Sequence, residues 1–200
     1  MATSETSICN LALQKLGADR ITSLSENSPN ARECNACYTT MRDIELRAYR
    51  WNFAKTRVSL TAHATTPVDG TNFDNAFPLP SDFLRLLSIN ESNVLVDGET
   101  SDWKIELHQG VKCLLTNDTA PVLITYIARV TDATLFDPMF VDMLAAKLAW
   151  QMCEKLTQSN TKKADIMAEY KDAKRTARRI NAFENQPTRA PEDTWVSVRR

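Results

Sequence analysis

Cys34 and Cys37, in the stretch NARECNACYTTMRD (residues 30–43), stand in the C-x-x-C spacing that can hold a metal or run thiol–disulfide exchange. A structural zinc site takes four nitrogen or sulfur ligands, usually from two such pairs. The chain has no second pair. Cys9, Cys113 and Cys153 stand alone, and the only histidines, His63 and His108, lie far apart in sequence. A thioredoxin-type pair follows a strand and opens a helix. Here the pair falls inside an amphipathic helical pattern with Cys34 on its apolar stripe, where a thiol behaves as a small hydrophobe. The spacing therefore predicts packing thiols, with no metal and no cofactor.

Other catalytic constellations are missing from the sequence. It contains no G-x-S-x-G, H-E-x-x-H, phosphate-loop or dinucleotide fingerprint. A triad would have to join His63 or His108 to a distant serine or cysteine. Asp132 and Asp137, in TDATLFDP, read as turn and cap residues, although paired carboxylates have no fixed spacing. The expectation is a protein that is not an enzyme.

The elements that must position these residues follow from composition and periodicity. At 200 residues and 43% hydrophobic, the chain can build a sizeable core. Four glycines are too few for phosphate loops or a sandwich full of tight turns. The N-terminus lacks the basic and apolar regions of a signal peptide. No window approaches the ~18 apolar residues of a membrane span. Cytoplasmic synthesis with reduced thiols is expected. The net charge of −1 is unevenly spread. Residues 1–146 hold twelve basic and eighteen acidic residues, whereas 147–200 hold twelve and seven. Such asymmetry marks either a solvated basic helix or a surface that meets a charged partner.

A first helix spans TSETSICNLALQKLG, capped by Thr3 or Ser4 and ended by Gly17, with Ile8, Leu11, Ala12 and Leu16 inward. A second opens with Ser28 as cap and Pro29 in the first turn. Its stripe is Ala31, Cys34, Tyr38, Met41, Ile44 and Ala48. Residues 61–80 are rich in proline and irregular. Short β-type runs follow at 83–89, 93–96, 103–107, 111–115 and 122–130, with turns at Asp97-Gly98, Gln109-Gly110 and Asn117-Asp118. A third helix starts with Asp137 as cap and Pro138 behind it. Its face is Phe140, Met143, Leu144, Leu148, Gln151 and Met152, and its apolar content marks it as central. A fourth opens at Asn160 or Thr161, with a narrow stripe of Ala164, Met167, Ala168, Lys171, Ala173 or Lys174, and Ala177.

The expected fold is mainly α. A four-helix core comes from residues 1–58 and 132–185. Residues 59–131 insert a loop and a small antiparallel β-meander, and 186–200 form an extended C-terminal arm. On the fourth helix Lys162, Lys163, Lys171, Lys174, Arg175, Arg178 and Arg179 are candidate DNA-facing or interface charges. In the arm Trp195, Val196, Val198, Arg199 and Arg200 are candidate docking residues, because tryptophan and arginine are favoured interface anchors.

Four segments in order, ICNLALQKLG, ITSLSENSPNARECNACYTTMRDIELRAYRWNFA, PLPSDFLRLLSI and YIARVTDATLFDPMFVDMLAAKLAWQMCEKLT, resemble the head-to-tail adaptor proteins of tailed bacteriophages, the tail tubular protein A-like connectors. The resemblance spans roughly residues 5–183 and lies in order and spacing. CYTTMRDIELRAYRWNFA and LFDPMFVDMLAAKLA are its most specific pieces. It implies a virion protein of the neck, made in the host cytoplasm and assembled as a ring of twelve copies. That ring sits between the portal protein and the next tail component, a nozzle or hub. Double-stranded DNA passes through its lumen without sequence specificity, and no membrane is involved. The resemblance further implies that the C-terminal arm docks on the portal. Near-neutral charge suits such a channel, since a strongly cationic bore would grip DNA. Loop 61–80 and the sheet are expected to supply assembly contacts outside the helical core. Two alternatives stand beside this expectation: a cell-wall hydrolase-type tail component using carboxylates of the β region, and a DNA-binding accessory protein acting through the fourth helix.

Overall fold

The structure is a computed structural model that describes residues 3–67, 72–93 and 103–184. Four helices carry just under half of these residues: α1 (Glu5–Leu16), α2 (Pro29–Ala48), α3 (Pro138–Thr157) and α4 (Asn160–Phe183). Their ends lie where side chains can satisfy the orphan amides of a first turn. Ser4 and Ser7 form a reciprocal capping box on α1. Ser28 Oγ accepts from the Ala31 amide, and Asp137 accepts from Met139 and Phe140. Gly17, at φ 70°, closes α1 in the left-handed region.

α3 is the central helix, and the other three pack on it. It buries Phe140, Met143, Leu144, Leu148 and Met152 as expected, together with Ala145, Ala146, Ala149 and Cys153; Gln151 is exposed. At its N-terminal end Phe140 contacts Trp51, Phe53 and Phe136, with ring centroids 5.1–5.2 Å apart. Because α1 and α2 barely touch, three helices clasping a fourth describes this core better than a four-helix bundle does.

The buried faces are rotated from those expected. On α1, Cys9 and Leu13 go inside while Leu11 stays exposed. On α2 the buried row is Ala31, Cys34, Tyr38, Arg42, Glu45 and Leu46, with Ile44 and Ala48 outside. The expected stripe advanced by fewer than 3.6 residues per turn, so it drifted off the buried face by its last two turns. On α4 the buried residues are Ile166, Tyr170, Ala177 and Asn181, while Ala164, Ala168 and Lys171 are exposed. Alanines gave no contrast from which to set that phase.

The chain is mixed α/β rather than mainly α. Among the described residues, seven strands form two antiparallel sheets instead of one meander. One sheet has the order β1 (Lys55–Leu60), β7 (Val122–Ala128), β3 (Phe83–Ile89), β4 (Ser92–Asn93). The other has the order β2 (Asn75–Pro78), β6 (Val111–Thr116), β5 (Trp103–His108). Two strands had no expected counterpart. β1 begins inside the segment assigned to the helical core, and β2 lies inside the segment expected to be irregular. Residues 94–96 of the expected strand 93–96 lie outside the described residues.

The two sheets close on Leu60, Phe77, Leu86, Leu114, Val122, Ile124 and Tyr126. Alternation sends Ile127 to the other side of β7, where it joins Leu84 and Leu87 in the helical core. The first sheet is therefore covered on one face by its partner sheet and on part of the other by helices. Gln109 and Gly110 both have positive φ between β5 and β6, matching the turn expected there. Asn90 and Glu91 do the same between β3 and β4.

Candidate functional site

The C-x-x-C pair lies within α2 as the periodicity predicted. Cys34 is fully buried with its thiol 3.7 Å from Met152 Sδ, and Cys37 is half-buried. The hydrogen bond that Cys9 donates to Cys34 and then burial push the Cys9 thiol up. Burial also raises Cys37. Neither of these two is an activated thiolate of the kind that nucleophilic or redox chemistry uses. Among the described residues, no three His, Cys, Asp or Glu side chains gather as metal ligands would. Asp132 and Asp137 both cap helices, Asp132 accepting from the Thr134 amide at 2.9 Å.

The structure brings the two histidines together. Their rings meet edge to face at 5.1 Å, and the Thr65 hydroxyl lies between them, 2.8 Å from His63 Nδ1 and 3.2 Å from His108 Nε2. The Thr65 amide also donates to His63 Nδ1, at 3.2 Å. That nitrogen is therefore the acceptor, and the Thr65 hydroxyl donates to it while accepting from His108 Nε2. The trio pins residues 63–65 against the β5–β6 hairpin.

The seven cations of α4 do not form one face. Lys162 donates to the Leu16 carbonyl, Lys163 pairs with Glu154 at 2.5 Å, and Arg175 pairs with Asp172. Lys174 turns inward to Glu45 at 3.0 Å, and Arg178 stacks on Tyr49 at 4.9 Å. Lys171 and Arg179 are exposed. Trp195, Val196, Val198, Arg199 and Arg200 lie outside the described residues.

A different basic cluster assembles where α2 meets the first sheet. Arg47, at the end of α2, donates to the Leu84 carbonyl of β3, and Arg85 reaches back toward the Arg47 carbonyl at 3.5 Å. Arg50 lies on the segment that joins α2 to β1, Lys55 opens β1, and Arg57 is exposed on β1. Burial, then repulsion from Arg50 and Arg57, lowers the Lys55 pKa. Burial, then Arg50 and Arg47, lowers that of Arg85. The two nearest carboxylates of α2 are committed elsewhere. Asp43 binds Arg42 and Arg129, each at 2.9 Å, and Glu45 binds Tyr170 and Lys174. Among the described residues no carboxylate pairs with Arg47, Arg57 or Arg85. A signal for this cluster was present in RAYRWNFAKTR, residues 47–57, where four cations occur with no acid.

The same region joins the two halves of the molecule. Arg129 bonds Asp43 of α2 through its side chain, and its amide donates to Asp82 O at 2.7 Å. Asn52 of η1 (Asn52–Ala54) donates twice to Asn181 of α4, from its amide to Oδ1 and from Nδ2 to the carbonyl, each at 2.8 Å. No family model matches the chain, and no curated protein is significantly similar to it.

Proposed function

We propose that the protein is a structural virion component, a head-to-tail connector that forms a ring between the portal protein and the next tail component. In this reading it extends the DNA channel, acts as a platform for the tail nozzle or hub, and has no enzymatic activity. One observation carries the reading beyond the sequence resemblance: a helical core and a two-sheet β region joined by a stem that is hydrogen-bonded on several sides. A closed ring needs a subunit that is stiff across its width and presents different surfaces to its two neighbours, because the contacts are heterologous and must close by rotation. The Arg129–Asp43, Arg47–Leu84 and Asn52–Asn181 bonds supply that stiffness. The arm 186–200 follows α4, whose end is tied to the stem, so docking of the arm would act on the stem directly. No described helix is long and apolar enough to cross a membrane.

Co-sedimentation with purified portal rings tests this. The protein is expected to pellet with the portal, and a chain lacking residues 186–200 is expected to stay in the supernatant. The alternative of a hydrolytic tail component has the His63–Thr65–His108 trio on its side. Release of soluble fragments from cell walls, abolished in Thr65→Val, would favour it.

A further inference from the structure

The register places the basic cluster on one surface. Lys55 pairs with Ile127 and Arg57 with Thr125 across β1 and β7, and Arg85 of β3 also sits opposite Ile127. These residues therefore share the face of the sheet that Ile127 turns toward the helices. Moving outward along β7, the helical cover ends. Thr125 is half-buried, Leu123 is exposed, and Arg57 stands beside them. The last turn of α2, which meets β3 through the Arg47–Leu84 bond, adds Arg47, and the segment after it adds Arg50. Lys55 and Arg57 stand about 7 Å apart along the strand, and Arg85 lies across two strand spacings, about 10 Å. Four of the five cations are arginines, whose planar fork matches phosphate oxygens two at a time. The aromatic residues here turn inward: Trp51 is 1% exposed and packs on Tyr49 at 5.0 Å. The corner thus lacks the exposed aromatic anchor of a protein interface.

We propose that this corner, formed by Arg47, Arg50, Lys55, Arg57 and Arg85, docks the phosphodiester backbone of double-stranded DNA without reading its sequence. The choice of DNA as the polyanion rests on the connector reading; the anion site itself does not. Contacts to three or four phosphates give weak, steeply salt-dependent binding, which permits sliding.

Fluorescence anisotropy of a short labelled duplex, titrated at several salt concentrations, tests it. Wild-type protein is expected to bind with a slope of log affinity against log salt of about −3. Arg57→Gln/Arg85→Gln should reduce the slope by about 2 and weaken low-salt binding at least tenfold. Arg57→Gln alone, at an exposed position, should reduce the slope by about 1, half of the change in the double variant, with melting unchanged. Lys171→Gln/Arg179→Gln on α4 should stay within twofold of wild type. The proposal is overturned if wild type does not bind, if the corner variants bind like wild type, or if the α4 variant loses as much. Polyglutamate that competes as well as DNA at equal charge would overturn the assignment to phosphodiester. Portal co-sedimentation of the same variants separates the two ideas. Assembly without DNA binding removes only this inference, and DNA binding lost in the corner variants without assembly removes only the connector reading.

Discussion

Glu45 is 2% exposed and is held by the Tyr170 hydroxyl at 2.5 Å and by Lys174 at 3.0 Å, while its backbone carbonyl accepts from the Trp51 indole at 2.8 Å. A buried carboxylate is tolerated only when so fully matched. Glu45→Ala leaves a cation and a hydroxyl under the stem without their acceptor. It should cost about 2–4 kcal/mol, read as a lower urea midpoint with unchanged slope. A loss below 0.5 kcal/mol would show that the network does not hold the stem.

Tyrosine gives a pH signature. Burial, then the hydrogen bond to Asp82, pushes Tyr126 up to about 12, and burial also raises Tyr38 and Tyr170. Because the folded pKa lies above the unfolded value of about 10, the folded chain keeps a proton that the unfolded chain gives up. Stability is unchanged by this below about pH 10 and falls as pH rises from there toward 12. The melting temperature should follow that course, and Tyr126→Phe should flatten it; an alkaline limb identical to wild type would contradict the assignment. Caps were legible residue by residue, because Ser4, Ser28, Asp137 and Gly17 act on amides or dihedrals next to them in sequence. Burial of Glu45 was not, since its side-chain partners Tyr170 and Lys174 come from α4, and a charged residue type gives no sign of burial for it or for Arg42.

Among the elements, β2 carries the main lesson. NAFP has four residues and ends in proline, so periodicity could not reveal it. It forms because Asn75–Pro78 pair with Thr116–Cys113 of β6 and Phe77 fills the space between the sheets with 0% exposure. The segment 61–80 is thus partly core of the β region rather than wholly irregular. Phe77→Ala should cost about 3–5 kcal/mol. Hydrogen exchange should rise across β2 and β6 while the α3 amides stay protected. Equal loss of protection in both regions would mean that the β region and the helices unfold as one unit. Asp137→Ala should cost about 1 kcal/mol through loss of the α3 cap, seen as a lower melting temperature. The strands at 83–89, 103–108 and 111–116 were readable because each is a hydrophobic run bounded by a turn. Pairing β1 with β7 spans most of the insertion and leaves no local trace in sequence.

For the whole molecule, the sequence expectation of helices before and after an inserted β region holds, with the balance shifted toward β structure. The insertion leaves and returns beside the same helix end, so the stem is one place, and the basic corner lies there. The candidate DNA-facing charges were sought on α4, where lysine and arginine are densest. Most of those side chains serve the packing of α4 on α1, α2 and α3, whereas Arg47, Arg57 and Arg85, which pair with no described carboxylate, lie at the stem. The docking role of the arm remains a proposal argued from Trp195 and the arginines that follow it.

Mass photometry of the protein alone, and then mixed with purified portal rings, tests the connector reading most directly. The predicted result is a portal peak heavier by a fixed whole number of subunits, twelve on the proposed connector reading, and no gain when residues 186–200 are deleted. A portal peak of unchanged mass, with the protein remaining a free monomer at concentrations well above those of the rings, would contradict it.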